Sequence, residues 1–265
     1  DEQMIKEHFT NLNKIIKMAF IDLRKIYNGA VFGWFWVIAK PAVTIFMYYF
    51  LFKIGLKVSN NVDGYPYFIW LIVGMLPWFY ISDMINASPN IYKKYNYLVT
   101  KIKFPVSIIP VFMSLSRFIV NIILSIIIIA IYVLMIGRID IYMLNILYYS
   151  FIMYIYTTLI TSILSIISAL SKDIANLIKT ISTPILFLSP VFWNIKTIDI
   201  NFIKIIEMYN PVAYFVNGYR DGFINNIWFF NKPFDMFIIL IELLIIFLLS
   251  VILYKKIKRK LPDYL

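Results

Sequence analysis

The sequence predicts an all-α membrane protein with six transmembrane helices, on three observations. Hydrophobic residues make up 62% of the 265, and mean hydropathy is +0.80. A soluble core of this length has no room for so much apolar side chain. About six apolar runs approach the roughly 20 residues that a bilayer crossing needs, with short polar breaks between them. Basic residues gather beside the ends of those runs, and the positive-inside rule then sets both termini on the cytoplasmic side. The runs fill residues 1–265 as one transmembrane domain and leave no space for a soluble catalytic one.

Composition excludes several chemistries. The net charge of +11 sits at helix ends, where anionic headgroups account for it without nucleic acid. There is no cysteine and His8 is the only histidine, so disulfides, thiolate metal sites, zinc centres and a histidine base are not expected.

In chain order, residues 4–26 space Ile5, Phe9, Leu12, Ile16, Ala19, Leu23 and Ile26 by fours and threes, with Lys6, Lys14, Lys17, Arg24 and Lys25 between them. That pattern is an amphipathic helix lying in the interface. Charges throughout it speak against a signal peptide. Gly29 and Gly33 let the chain bend into a first span, 31–52, where Phe32, Trp36 and Lys40 share a face ahead of Pro41. A lysine at a helix centre costs about 2.5–3.5 kcal/mol on the insertion scale, so Lys40 should face an interior, snorkel or line a wet path. Lys53 and Lys57 serve as anchors at the far end.

The second span, 67–87, contains Pro77, which predicts a kink, and Asp83 near its end. A basic, tyrosine-rich island follows at 91–105 with no acid inside it, which places it on the cytoplasmic face, where a short helix can take a push from a soluble partner. The third span, 106–136, carries Arg117, a candidate partner for Asp83. The fourth is 141–170, and the fifth, 174–191, is interrupted by Pro184 and Pro190. Residues 192–230 alternate apolar pieces of about ten residues with Asn, Asp, Lys and Pro, too short to cross. Re-entrant or interfacial helices capping a cavity on the outer side fit such lengths. The last span, 234–254, returns to Lys255, Lys256, Lys258, Arg259 and Lys260.

Four stretches in this order, FGWFWVIAKP (32–41) followed by MYYFLF, LVTKIKFPVSIIP (98–110), SPVFW (189–193) and NPVAYFVNGYRDGF (210–223), resemble the membrane subunit of polysaccharide-exporting ATP-binding-cassette transporters of the O-antigen or teichoic acid type. The absence of a GxxxxGK[ST] motif is consistent with a separate ATPase chain. The resemblance implies a homodimer of six-helix permeases in the bacterial plasma membrane, clamped by two cytosolic ATPase subunits. ATP and Mg would bind to the partner, and this chain would hold no cofactor or metal directly. A lipid-linked glycan would pass along the dimer interface.

In that scheme the island is the coupling helix, with Lys93, Lys94, Tyr95, Lys101, Lys103, Phe104 and Pro105 as docking residues; Pro105 ends it, because proline disfavours helix in the residue before it. The outer gate includes Asn210, Pro211, Arg220 and Asp221. Flat side chains suit sliding sugar rings, which makes Phe32, Trp36, Phe187, Phe192 and Trp193 path candidates together with Lys40. The family often has asparagine at the Lys40 position, so a cation there points to an anionic cargo. Alternatives are a drug or lipid exporter of the same superfamily, a membrane-embedded transferase, and a channel. The acids argue against the transferase, since Asp83 and Glu242 are isolated in their spans and the others are scattered.

Overall fold

The computed structural model describes residues 7, 8, 10–27, 31–100 and 104–257. Ile5, Lys6, Phe9, Gly29, Lys101, Lys103, Lys258, Arg259 and Lys260 lie outside the described residues. An amphipathic helix, α1 (Leu12–Tyr27), precedes α2 (Phe35–Tyr49), which continues through a wider π-type turn, Phe50–Gly55. A small antiparallel hairpin, β1 (Asn61–Val62) and β2 (Tyr65–Pro66), connects it to α3 (Tyr67–Ala87). Positive φ at both Asp63 and Gly64 closes the hairpin with the backbone twist that an Asp-Gly pair accepts most readily.

The island folds into two short helices, α4 (Ile91–Lys94) and α5 (Asn96–Thr100). Then come α6 (Ile108–Ile136), α7 (Asn145–Leu170) and α8 (Lys172–Leu188). Two short helices, α9 (Asn201–Met208) and α10 (Pro211–Arg220), and a turn at Asp221–Asn225 lead to α11 (Pro233–Ile257).

Among the described residues, five helices are long and apolar enough to cross a membrane: α2 with its π-type turn, α3, α6, α7 and α11. The sequence predicts six, and the difference is segment 174–191. There the helix begins earlier, at Lys172, because Ser171 caps it: its side chain accepts the Asp173 N–H at 3.2 Å. It ends at Leu188, before extended Ser189 and a turn at Pro190. Its 17 residues reach roughly 25 Å, less than the ~30 Å hydrocarbon core, and Lys172, Asp173 and Lys179 lie within it.

The second span is the hub. Of its apolar stretch 72% is buried, against 6% for the first span, so α3 is wrapped by neighbours while α2 keeps an uncovered flank. Ile69, Trp70, Leu71, Ile72, Val73 and Met75 of α3 pack with Tyr149 and Met153 of α7 and Phe215 and Tyr219 of α10. A second core lies at the island end, where Ile15 and Ala19 of α1 meet Tyr92, Tyr95, Leu98 and Val99, Phe112 and Met113 of α6, and Tyr254.

Candidate functional site

The island end is organised around Asp22. The ridge of α1 that packs against α6 consists of Ile15, Ala19 and Leu23, spaced by four and all buried. Leu12 and Ile16 of the same apolar series stay exposed, at 49% and 46%. Asp22 lies beside this ridge and is 0% exposed. One of its oxygens accepts from Lys94 Nζ at 2.7 Å and from the Tyr95 hydroxyl; the other accepts from Ser116 Oγ at 2.6 Å and Arg117 Nη1 at 3.0 Å. Arg117 Nε in turn sits 2.9 Å from the Asp83 carboxylate. A single side chain thus ties α1 to the island and α6, and through Arg117 to α3.

Burial alone would raise the Asp22 pKa, but the Arg117 charge and the Lys94, Ser116 and Tyr95 donors outweigh it and hold the pKa below the ordinary carboxylate value. A depressed folded-state pKa contributes stability that is present above the unfolded value and lost as pH falls through the folded one. The docking of α1 should therefore be unchanged from about pH 8 to about pH 5 and loosen only below the normal aspartate range, about pH 4. The chain lacks cysteine, so a single Ala19→Cys on the buried ridge reports this directly. Maleimide labelling after timed acid exposure should stay slow until that range; fast labelling at about pH 5 would refute the tie.

The island residues divide into two groups. Lys94 and Tyr95, read from the sequence as docking residues, turn inward to Asp22. Tyr95 is 2% exposed and lies edge-on to Phe112, with ring centroids 5.0 Å apart. Lys93 and Tyr97 remain exposed. Half-buried Phe104 donates its N–H to the Leu98 carbonyl at 3.0 Å, folding the chain back just before Pro105. A second tie binds the same end: Glu7 accepts from Ser107 Oγ and the Tyr254 hydroxyl, both at 2.9 Å, joining the N-terminal segment to α11.

The path candidates form two groups. Phe32 and Trp36 lie at the island end of the first span, exposed and in edge contact at 6.4 Å. Phe187, Phe192 and Trp193 cluster at its other end. Phe187 is 48% exposed, but Phe192 is 4% exposed, between Tyr48 at 4.4 Å and Phe52 at 4.8 Å, so within this chain it faces no open path. Trp193 Nε1 donates to the Phe187 carbonyl at 3.0 Å. Lys40 lines a pocket with Trp36, Thr44, Asp83, Arg117 and Asn121.

Of the gate candidates, Asn210 caps α10, accepting the Val212 N–H at 2.9 Å, with Pro211 in the first helical turn. Asn210 also donates to Ser189 Oγ at 3.0 Å. Arg220 is buried: Nη2 donates to the Val191 carbonyl at 2.8 Å, Nη1 donates to the Pro190 carbonyl, and the guanidinium lies 3.3 Å from the Trp70 ring centroid. Asp221 is held by Lys232 and by Asn225 Nδ2 at 2.9 Å.

Acids that are scattered in the sequence come together in space, where Glu207, Asp221, Asp235 and Glu242 line one cleft with Lys232. Asp221 is engaged as described, and Glu207 accepts from Asn217 Nδ2. No grouping among the described residues is suited to hold a metal ion.

These features define a multi-pass membrane protein whose N-terminal helix and island are tied into its bundle. Residues 15–224 match the ABC-2 type transporter family, and the chain belongs to it. It is similar to an "O-antigen export system permease protein RfbA" of Myxococcus xanthus, 21% identical over 82% of this chain and 83% of the relative. A protein of the same name from Klebsiella pneumoniae is 25% identical over 78% of each chain.

Proposed function

We propose that this chain is the membrane-spanning subunit of an ATP-driven exporter that carries a lipid-linked polysaccharide, of the O-antigen or teichoic acid kind, out across the bacterial plasma membrane. The similarity to O-antigen export permeases supports the cargo class, and the Asp22 tie carries the mechanism. A push on the island cannot be absorbed locally, because Lys94 and Tyr95 are bonded to α1 and, through Asp22, to Ser116 and Arg117 of α6. Motion at the interface is therefore passed to α6, and from Arg117 to α3, the hub of the bundle.

In this reading two copies of the chain assemble with two ATPase subunits, which bind ATP and Mg. Both termini are cytoplasmic, and α8 is the sixth crossing, its short length made up by the Ser189–Pro190 corner. The uncovered flank of α2 faces the second copy and the glycan path. Exposed Lys93 and Tyr97 contribute to the ATPase-facing surface, Lys101 and Lys103 take the docking role that the sequence gives them, and Lys94 and Tyr95 transmit.

Affinity copurification in mild detergent, followed by an ATPase assay, tests this. The wild type should retain an ATPase subunit, and Lys101→Glu/Lys103→Glu should lose it or leave its hydrolysis uncoupled from export. If no ATPase copurifies, even from lipid nanodiscs, the chain has no motor and the proposal falls.

A further inference from the structure

The pocket that contains Lys40 continues into an apolar groove. Trp36, Lys40 and Thr44 of α2, Asp83 of α3, and Arg117 and Asn121 of α6 line the polar part. Ile45, Phe46 and Tyr49 of α2, Phe68 and Ile72 of α3, and Ile131 of α6 line the apolar part. Pro41, Phe79 and Leu124 belong to both. On α3 and α6 the polar residues lie at the island end and the apolar ones away from it, while on α2 the apolar lining begins at Ile38 and runs past Lys40 to Tyr49. The trough is thus a head-and-tail shape cut along the bundle axis.

Its dimensions and chemistry identify an occupant. From Leu124 to Met135 of α6 the apolar part spans roughly 16 Å at about 1.5 Å per residue, close to the ~15 Å half-thickness of the hydrocarbon core. That is the length of one leaflet's acyl chain. At the head, Lys40 has no carboxylate partner among the described residues, whereas Arg117 already pairs with the carboxylates of Asp22 and Asp83. Asn121, 2% exposed, spends its amide N–H on the Leu76 carbonyl at 3.1 Å and leaves its oxygen without a donor. An anion for Lys40 and a hydroxyl for Asn121 are what the pocket lacks. Ile38 and Phe46, 48% and 64% exposed, open the groove sideways to the bilayer, where phospholipid is present at solvent concentration.

We propose that this trough binds a resident anionic phospholipid, with its phosphate at Lys40, a headgroup hydroxyl at Asn121 and an acyl chain between α2, α3 and α6. The lipid seats the first span against the arginine of the Asp22 tie. This needs only that the chain is embedded in a membrane and does not rest on the export reading.

Native mass spectrometry after extraction into micelles containing equal phosphatidylglycerol and phosphatidylcholine tests it. The wild type should retain phosphatidylglycerol over phosphatidylcholine by about fivefold, the preference one basic residue near an anionic surface confers. Lys40→Gln should abolish the preference, and Ala42→Trp, which fills the groove, should lose both lipids while the protein still elutes as a folded species. Equal retention of the two lipids by the wild type, or an unchanged ratio in Lys40→Gln, overturns the proposal. So does displacement of phosphatidylglycerol by added polyprenyl phosphate, which would assign the trough to cargo. Loss of self-association in Ala42→Trp with lipid still bound would put a second copy in the trough and overturn it equally.

Discussion

Asp22→Asn should leave a folded but less stable protein in which α1 no longer follows the island. Asparagine keeps the shape, but it removes the charge that Lys94 and Arg117 face at 2.7 and 3.0 Å. Removing one partner of a buried pair typically costs about 3–5 kcal/mol, because the other charge is left uncompensated. The Lys94 share must be discounted, since its side chain is 39% exposed and can turn to water. Arg117, 11% exposed, keeps Asp83. We therefore expect a loss near the lower end of that range, about 3 kcal/mol, measured as a fall in the detergent-denaturation midpoint.

Export should fall much further than stability, with ATP hydrolysis by the assembled complex persisting. Asp22→Asn/Arg117→Gln should recover part of the stability, because the buried guanidinium is removed along with its carboxylate and the Asp83 left behind is 59% exposed, but none of the export, because the bond between α1 and α6 is still missing. Full export by the single variant would show that motion reaches the spans by another route.

Asp22 also shows where sequence reasoning stops. It is the only acid between Glu7 and Asp63, and it falls three residues after Ala19 on an apolar stripe, a signal available without coordinates. What it bonds to was not available: Lys94, Ser116 and Arg117 lie 72, 94 and 95 residues away, and no local periodicity encodes such pairings. The Arg117–Asp83 pair was easier, because each is a lone charge within an apolar run.

Span positions were legible where an apolar run has sharp ends, as at Tyr67–Ala87 between Pro66 and Ser88. They blurred at α8, whose first turn is charged and whose cap, Ser171, reads as loop. Faces were the least legible feature. In a chain with 18% aromatics, Phe187 and Phe192 look alike, and only packing separates the exposed one from the buried one. The four acids around one cleft come from α9, the turn after α10, and α11, and nothing in their spacing announces the meeting.

At the opposite end from Asp22, Gly74→Ala should be as damaging as a change to Arg220 itself. A β-carbon at Gly74 would stand 3.0 Å from Arg220 Cζ and closer still to Nη2, well inside contact distance. A flexible side chain would move aside, but this guanidinium is pinned by the Pro190 and Val191 carbonyls and by the Trp70 face. Displacing it leaves two buried carbonyls without donors, at about 1–3 kcal/mol each, and detaches the Ser189–Phe192 corner from α3 and α10. Arg220→Ala should cost a similar amount for the same reason. The two losses should not add: with the guanidinium gone, the Gly74 methyl has space to occupy, so Gly74→Ala/Arg220→Ala should be no less stable than Arg220→Ala alone. Thermal midpoints of the four proteins in one detergent measure this cycle. Additive losses would mean that Gly74 matters for helix geometry and that Arg220 does not clamp the corner.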